Sequence, residues 1–209
     1  MIKFEQYLNE GMRLEKQLIT ASKKGNLNLV KQLIDRGVDI HANNNWALRW
    51  ASLNGHLEVV KYLVKKGADI HANNDYALIW ASNSGHLEVV KYLISKGANI
   101  HVYNDKALRW ASSYGHLEIV KYLISKGTDI HADNDEALIN ASDRGHLEVV
   151  KYLISKGSNI PEEMDIPEDV QEIAIQNDVG NIKNIKNLRS DLKKKYKHLL
   201  TADKFGLFN

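Results

Sequence analysis

The chain has 209 residues, 44% hydrophobic and 26% charged, a balance that fits a folded globular protein and excludes a disordered one. No stretch approaches the ~20 consecutive apolar residues of a membrane span, so no membrane partner is expected, and Met1 to Leu14 carries scattered charges without an apolar signal block. The absence of cysteine excludes disulfides and thiolate chemistry, and a formal net charge of +2 is too small to point to nucleic acid, which is disfavoured as a partner.

Taken in chain order, the first segment with a pattern runs from about residue 10 to 40. Leu18, Ala21, Ser22 and Gly25 occupy positions that recur later, with Asn26 where the later copies carry His. Four full copies follow in strict thirty-residue register, at 41–70, 71–100, 101–130 and 131–160. Each carries A-L-x-x-A-S, beginning at Ala47, Ala77, Ala107 and Ala137, then G-H-L-E-[VI]-V-K-Y-L from Gly55, Gly85, Gly115 and Gly145. The only two prolines, Pro161 and Pro167, fall in one short stretch where the chain changes character. A weaker copy, Gly180 to Leu188, marks residues 161–190 as a C-terminal cap, matching the cap at the other end. Residues 191–209 are read as a basic amphipathic tail helix. Within Ser190–Thr201, Leu192, Tyr196 and Leu199 share a face and Lys193, Lys194, Lys195 and Lys197 supply charge. That tail either docks on the last cap or serves as a targeting or anion-binding patch.

Each copy predicts two helices. In the second copy the first helix spans about Tyr76 to Ser84, with Asp75 as its N-cap and Leu78, Ala81 and Ser82 on the core face. Gly85 stops it in a left-handed conformation. The next helix spans about Leu87 to Lys96, burying Leu87, Val90, Leu93 and Ile94, and Gly97 closes it. Neither helix has enough apolar surface to stand alone, so stability must come from stacking. The expected fold is an all-α helix-turn-helix solenoid forming one domain, a monomer.

These residues resemble the ankyrin repeat, over roughly residues 10–190. The variant I-H-A-N-N-D-x-A-L-x-W-A-S resembles ankyrin proteins of mimivirus-type giant DNA viruses. The usual repeat has 33 residues and carries T-P-L-H-x-A after a turn. Here three residues are missing where the tip of a β-hairpin finger would be, so short loops should replace full fingers. The resemblance implies a non-catalytic protein-interaction module that binds a partner protein on the concave face of its first helices. The absence of cysteine suits a cytoplasmic setting, in a host cell if viral, with the nucleus as a second possibility.

Comparison between copies locates the candidate surface. Three columns vary most: Trp46, Tyr76, Lys106 and Glu136; Leu53, Asn83, Ser113 and Asp143; Asn54, Ser84, Tyr114 and Arg144. At 100° per residue, Leu53 and Asn54 point away from the Leu48 face. Trp and Tyr dominate interface hot spots, so Trp50, Trp80, Trp110 and Tyr114 are candidate anchors, with Arg49, Arg109 and Arg144 for charged groups. The Trp50, Trp80 and Trp110 column reads equally well as an exposed strip and as packing between adjacent first helices.

Chemistry finds little support. Equivalent histidines of successive copies stand ~8–10 Å apart, too far to share a zinc ion. The His after each Gly (His56, His86, His116 and His146) reads instead as a hydrogen-bonding turn residue, and His41, His71, His101 and His131 as turn residues. No catalytic set, metal site or cofactor is expected. Two other readings remain open: an adaptor recruiting host proteins to machinery such as a ubiquitin ligase, and anion or RNA binding through the lysine-rich tail.

Overall fold

The computed structural model describes residues 2–161 and residue 164, with side chains from Glu10 onward. Among the described residues there are ten helices and no strand. They run α1 (Ile2–Lys23), α2 (Leu27–Asp35), α3 (Ala42–Leu53), α4 (Leu57–Lys65), α5 (Ala72–Asn83), α6 (Leu87–Ser95), α7 (Val102–Ser113), α8 (Leu117–Ser125), α9 (Ala132–Asp143) and α10 (Leu147–Ser155). None is long and apolar enough to cross a membrane. The C-terminal cap at 161–190 and the tail helix at 191–209 lie outside the described residues, apart from Pro161 and Met164.

The helices stack as pairs. Leu18, Leu48, Leu78, Leu108 and Leu138 of the first helices meet Val30, Val60, Val90, Val120 and Val150 of the second, all fully or nearly fully buried in one continuous core. Burying such a side chain contributes roughly 1.5–3 kcal/mol. Second helices bury more than the single stripe expected. Val89, Ile119 and Val149 are also sealed, whereas Leu87 and Ile94 are half-buried. A stacked helix is covered by a neighbour on each side, which widens its buried arc.

Odd-numbered helices pack along their lengths against one another, whereas successive even-numbered helices touch at few points. The first helices therefore form the more closely packed row of the stack. The N-terminal helix begins at Ile2, well before the expected boundary near residue 10. Gly11 does not end it, since a glycine inside a helix costs only ~0.5–1 kcal/mol.

The missing fingertip is replaced by a specific conformation. Asn43, Asn44 and Asn45 wind left-handed, with φ of 53°, 56° and 58°, before the right-handed turns of α3 begin. The same happens at Asn73–Asp75, Tyr103–Asp105 and Asp133–Asp135. Left-handed backbone costs an ordinary L-residue ~1–2 kcal/mol, and Asn and Asp tolerate it best because their short side chains bond locally. Eleven of these twelve residues are Asn or Asp, Tyr103 being the exception. The repeated Asn/Asp run is therefore the sequence's substitute for a hairpin.

Asp75 does not cap its own helix, contrary to expectation. Preceded by two left-handed residues, its carboxylate turns back into the turn. There it accepts from the Asn99 N–H at 3.0 Å and meets His71 Nδ1 at 3.0 Å. Asp135 likewise accepts from the Asn159 N–H at 2.9 Å and meets His131, and Asn45 accepts from the Asp69 N–H at 2.9 Å. Asp105 meets His101 Nδ1 at 3.0 Å. In three of the four repeats, those of Asn45, Asp75 and Asp135, the buried side chain ties the turn at the start of the repeat to the turn that ends it.

Candidate binding surface

The His after each Gly forms a joint between repeats. His86 Nε2 donates to the Leu53 carbonyl at 2.9 Å, and His56, His116 and His146 do the same to Lys23, Asn83 and Ser113. A carbonyl only accepts, so each ring must carry its proton on Nε2. Each imidazole lies over the glycine of the preceding repeat. A Cβ on Gly55 would come 2.6 Å from His86 Cε1 and 2.8 Å from Cγ, and closer still to Nδ1. Asn26 stands at the equivalent position of the first pair. It caps α2 instead, accepting from the Leu29 N–H at 3.1 Å. Burial pushes the His86 imidazole below its ordinary value, opposed by the bond to Leu53 and reinforced by His116 and His56. Among the described residues no group of His, Asp or Glu is placed to hold a metal ion.

Along the row of first helices, aromatic rings run from repeat to repeat. Trp50 and Trp80 meet at 5.8 Å between centroids, Tyr76 lies 5.9 Å from Trp80, and Tyr103 lies 6.0 Å from Tyr76. The two readings of the tryptophan column are therefore both partly right. Trp50, Trp80 and Trp110 are half-buried, with Trp50 and Trp80 packed on one another across the repeat boundary. The open aromatic area belongs instead to Trp46, Tyr103 and Tyr114, which are 42%, 46% and 48% exposed. Tyr103 was not among the candidates. Its signal was there, as the one residue in the left-handed turns that is neither Asn nor Asp.

Cations sit over this strip. Lys23 Nζ stands 4.4 Å above the Trp50 ring, Lys106 Nζ 4.7 Å above Trp110, and the Arg144 guanidinium 4.7 Å from Tyr114. Such contacts hold about 0.5–1 kcal/mol each at exposed sites. Tyr114 also stacks on His116, so the exposed ring and the repeat joint share one wall.

Other candidates fall elsewhere. Ser113 is buried, and His146 bonds the Ser113 carbonyl at the end of α7. Leu53, Asn54, Asn83 and Ser84 are half-buried at the same joints, with the Asn54 amide donating to the Trp50 carbonyl at 2.8 Å. Asp143 and Arg144 are exposed beside Tyr114. Tyr76, Lys106 and Glu136 are half-buried along the strip.

Arg109 is not a free cation. It is clasped by Asp133 at 2.7 Å and by Glu136, both of the next repeat, and donates to the carbonyls of Tyr103 and Asn104 at 2.7 and 3.0 Å. Arg49, at the equivalent position, is also sunk into the stack and only 6% exposed. Its guanidinium lies between Trp46 at 5.6 Å and Trp80 at 5.1 Å. Burial lowers its pKa, with Tyr76 opposing, but an arginine stays a cation in a protein. Both placements share one cause: helices packed side by side cover residues that a lone helix would leave open.

The family described as "Ankyrin repeats (3 copies)" matches this chain over residues 6–74, 78–164 and 111–194. No curated protein matches it.

Proposed function

Because the chain belongs to the ankyrin-repeat family, whose members serve as protein-interaction modules, we propose that it binds a partner protein on the concave face of its first helices. The carrying observation is the exposure of Trp46, Tyr103 and Tyr114, three large aromatic side chains left open along the row of first helices. Trp and Tyr are the residue types that anchor interfaces. The framework that holds them repeats with little change, while the side chains at this surface differ from repeat to repeat. A solenoid acquires one particular partner by that means. The chain acts as a monomer and without catalysis in this reading, as is usual for the family.

The I-H-A-N-N-D variant supports the finer proposal that this is a repeat protein of the mimivirus-type giant-virus kind. It would then work in the host cytoplasm, with the nucleus as second compartment. Adaptor and lysine-tail readings depend on Ser190–Asn209, outside the described residues, and no observed geometry favours them.

The test replaces open rings and leaves the packed Trp50 and Trp80 alone. A Trp46→Ala, Tyr114→Ala double variant should melt near the wild type, because both side chains are exposed. It should lose the main protein recovered by affinity capture, since each central anchor carries ~2 kcal/mol or more of binding. Undiminished recovery of the same protein would place binding elsewhere.

A further inference from the structure

Two arginines at equivalent positions of the stack have different surroundings. Arg109 reaches into the next repeat and finds two carboxylates, Asp133 and Glu136. Arg49, sixty residues earlier, faces Asn73 and Tyr76 at the same places in its own next repeat. No hydrogen bond or ion pair reaches its guanidinium, and Nε is sealed from solvent without a partner. The terminal nitrogens also lack partners but are not sealed, so they are the part of the group that an incoming acceptor can reach. Between these copies the equivalent position holds Ile79, facing Tyr103 and Lys106, so no arginine stands where the next repeat supplies a cation.

A buried cation without a counter-charge is costly, and removing its compensation elsewhere in proteins is strongly destabilising. The stack shows what satisfies this position: a carboxylate lying between the left-handed turn and the first helix of the next repeat. Trp46 and Trp80 flank the Arg49 guanidinium, and Lys23 stands over Trp50, so two cations and aromatic walls line this part of the strip.

We propose that the partner is a protein segment presenting an acidic side chain, whose carboxylate docks on Arg49 between Trp46 and Tyr76 and completes the pair that Asp133 and Glu136 make with Arg109. This rests on the concave-face reading and deepens it. The neighbouring residue of that segment would be apolar, lying on the half-buried Trp50 and Trp80 rings. A planar guanidinium held by flanking rings is pre-organised for two parallel bonds to a carboxylate, which an amide does not match.

The experiment uses the full chain and two immobilised nonapeptide libraries, random except for a central Glu in one and a central Gln in the other. The wild type should be retained by the Glu library at least about tenfold more strongly, in keeping with a charge-assisted pair. Tyr76→Glu places a carboxylate where Glu136 stands relative to Arg109. It should raise the melting midpoint and abolish that preference, whereas Tyr76→Gln should keep it. Equal retention by the two libraries, no retention by either, or a preference that survives in Tyr76→Glu would each overturn the carboxylate proposal. Trp46→Ala, Tyr114→Ala separates the two levels of inference. If it loses peptides that show no Glu preference, the concave surface stands without the acidic requirement. If it retains Glu peptides at the wild-type level, the concave reading falls as well.

Discussion

Replacing Gly55 by Ala strikes the repeat joint at its narrowest point. Gly55 has φ of +73°, so a side chain there costs roughly 1–2 kcal/mol through the left-handed backbone alone. The added Cβ would also press into the His86 ring, against Cε1 and Cγ at 2.6 and 2.8 Å and closer to Nδ1. The ring must then move and give up its 2.9 Å bond to the Leu53 carbonyl, a loss of about 0.5–1.5 kcal/mol. The expected total is therefore ~2–3 kcal/mol. Gly145 is the internal control, with the same φ of +73° and no described residue within 4 Å of its Cβ. Gly145→Ala should cost only the backbone part. Urea unfolding followed by far-ultraviolet circular dichroism gives both values, and a cycle with His86→Ala isolates the ring. In that background Gly55→Ala should cost ~1 kcal/mol less, because the obstruction has gone. Equal losses at Gly55 and Gly145, together with no coupling to His86, would refute the idea that the histidine joint dictates the glycine.

Asp75→Ala leaves the Asn99 N–H without its acceptor and should cost roughly 1–3 kcal/mol in the same unfolding assay. Asp75→Asn should be nearly silent, because Asn45 already makes the equivalent bond to the Asp69 N–H at 2.9 Å; a large loss in the Asn variant would mean the charge matters more than the bond. His86 has a folded-state pKa held below its ordinary 6.5, so the unfolded chain takes up the proton first as the medium is acidified. Its contribution is complete above 6.5 and falls as pH drops through that value toward the folded one, so stability should decline with acid. Melting midpoints of wild type and His86→Gln across this range check it, and an identical acid slope in the two would refute the assignment.

Much of this protein was legible as sequence. The thirty-residue register, the two helices per copy, and the glycines that end them follow from periodicity and backbone freedom, which are local properties that a single helix carries with it. The Leu48, Ala51 and Ser52 face was legible for the same reason. The left-handed turns were written in the Asn/Asp run, although the shortened repeat announced only a missing fingertip.

What needed the tertiary structure were the relations between copies. A helical wheel shows one helix in isolation, and it leaves out the neighbours that cover Arg49 and Arg109. The fates of these two arginines diverge because of residues 24 and 27 positions further on, Asn73 and Tyr76 in one case and Asp133 and Glu136 in the other. The histidine bonds reach 33 residues back along the chain, and the Asp75 bond 24 forward. Such contacts depend on how far one repeat is rotated and shifted against the next, a quantity set by the packing of whole side chains and absent from the pattern of any one repeat.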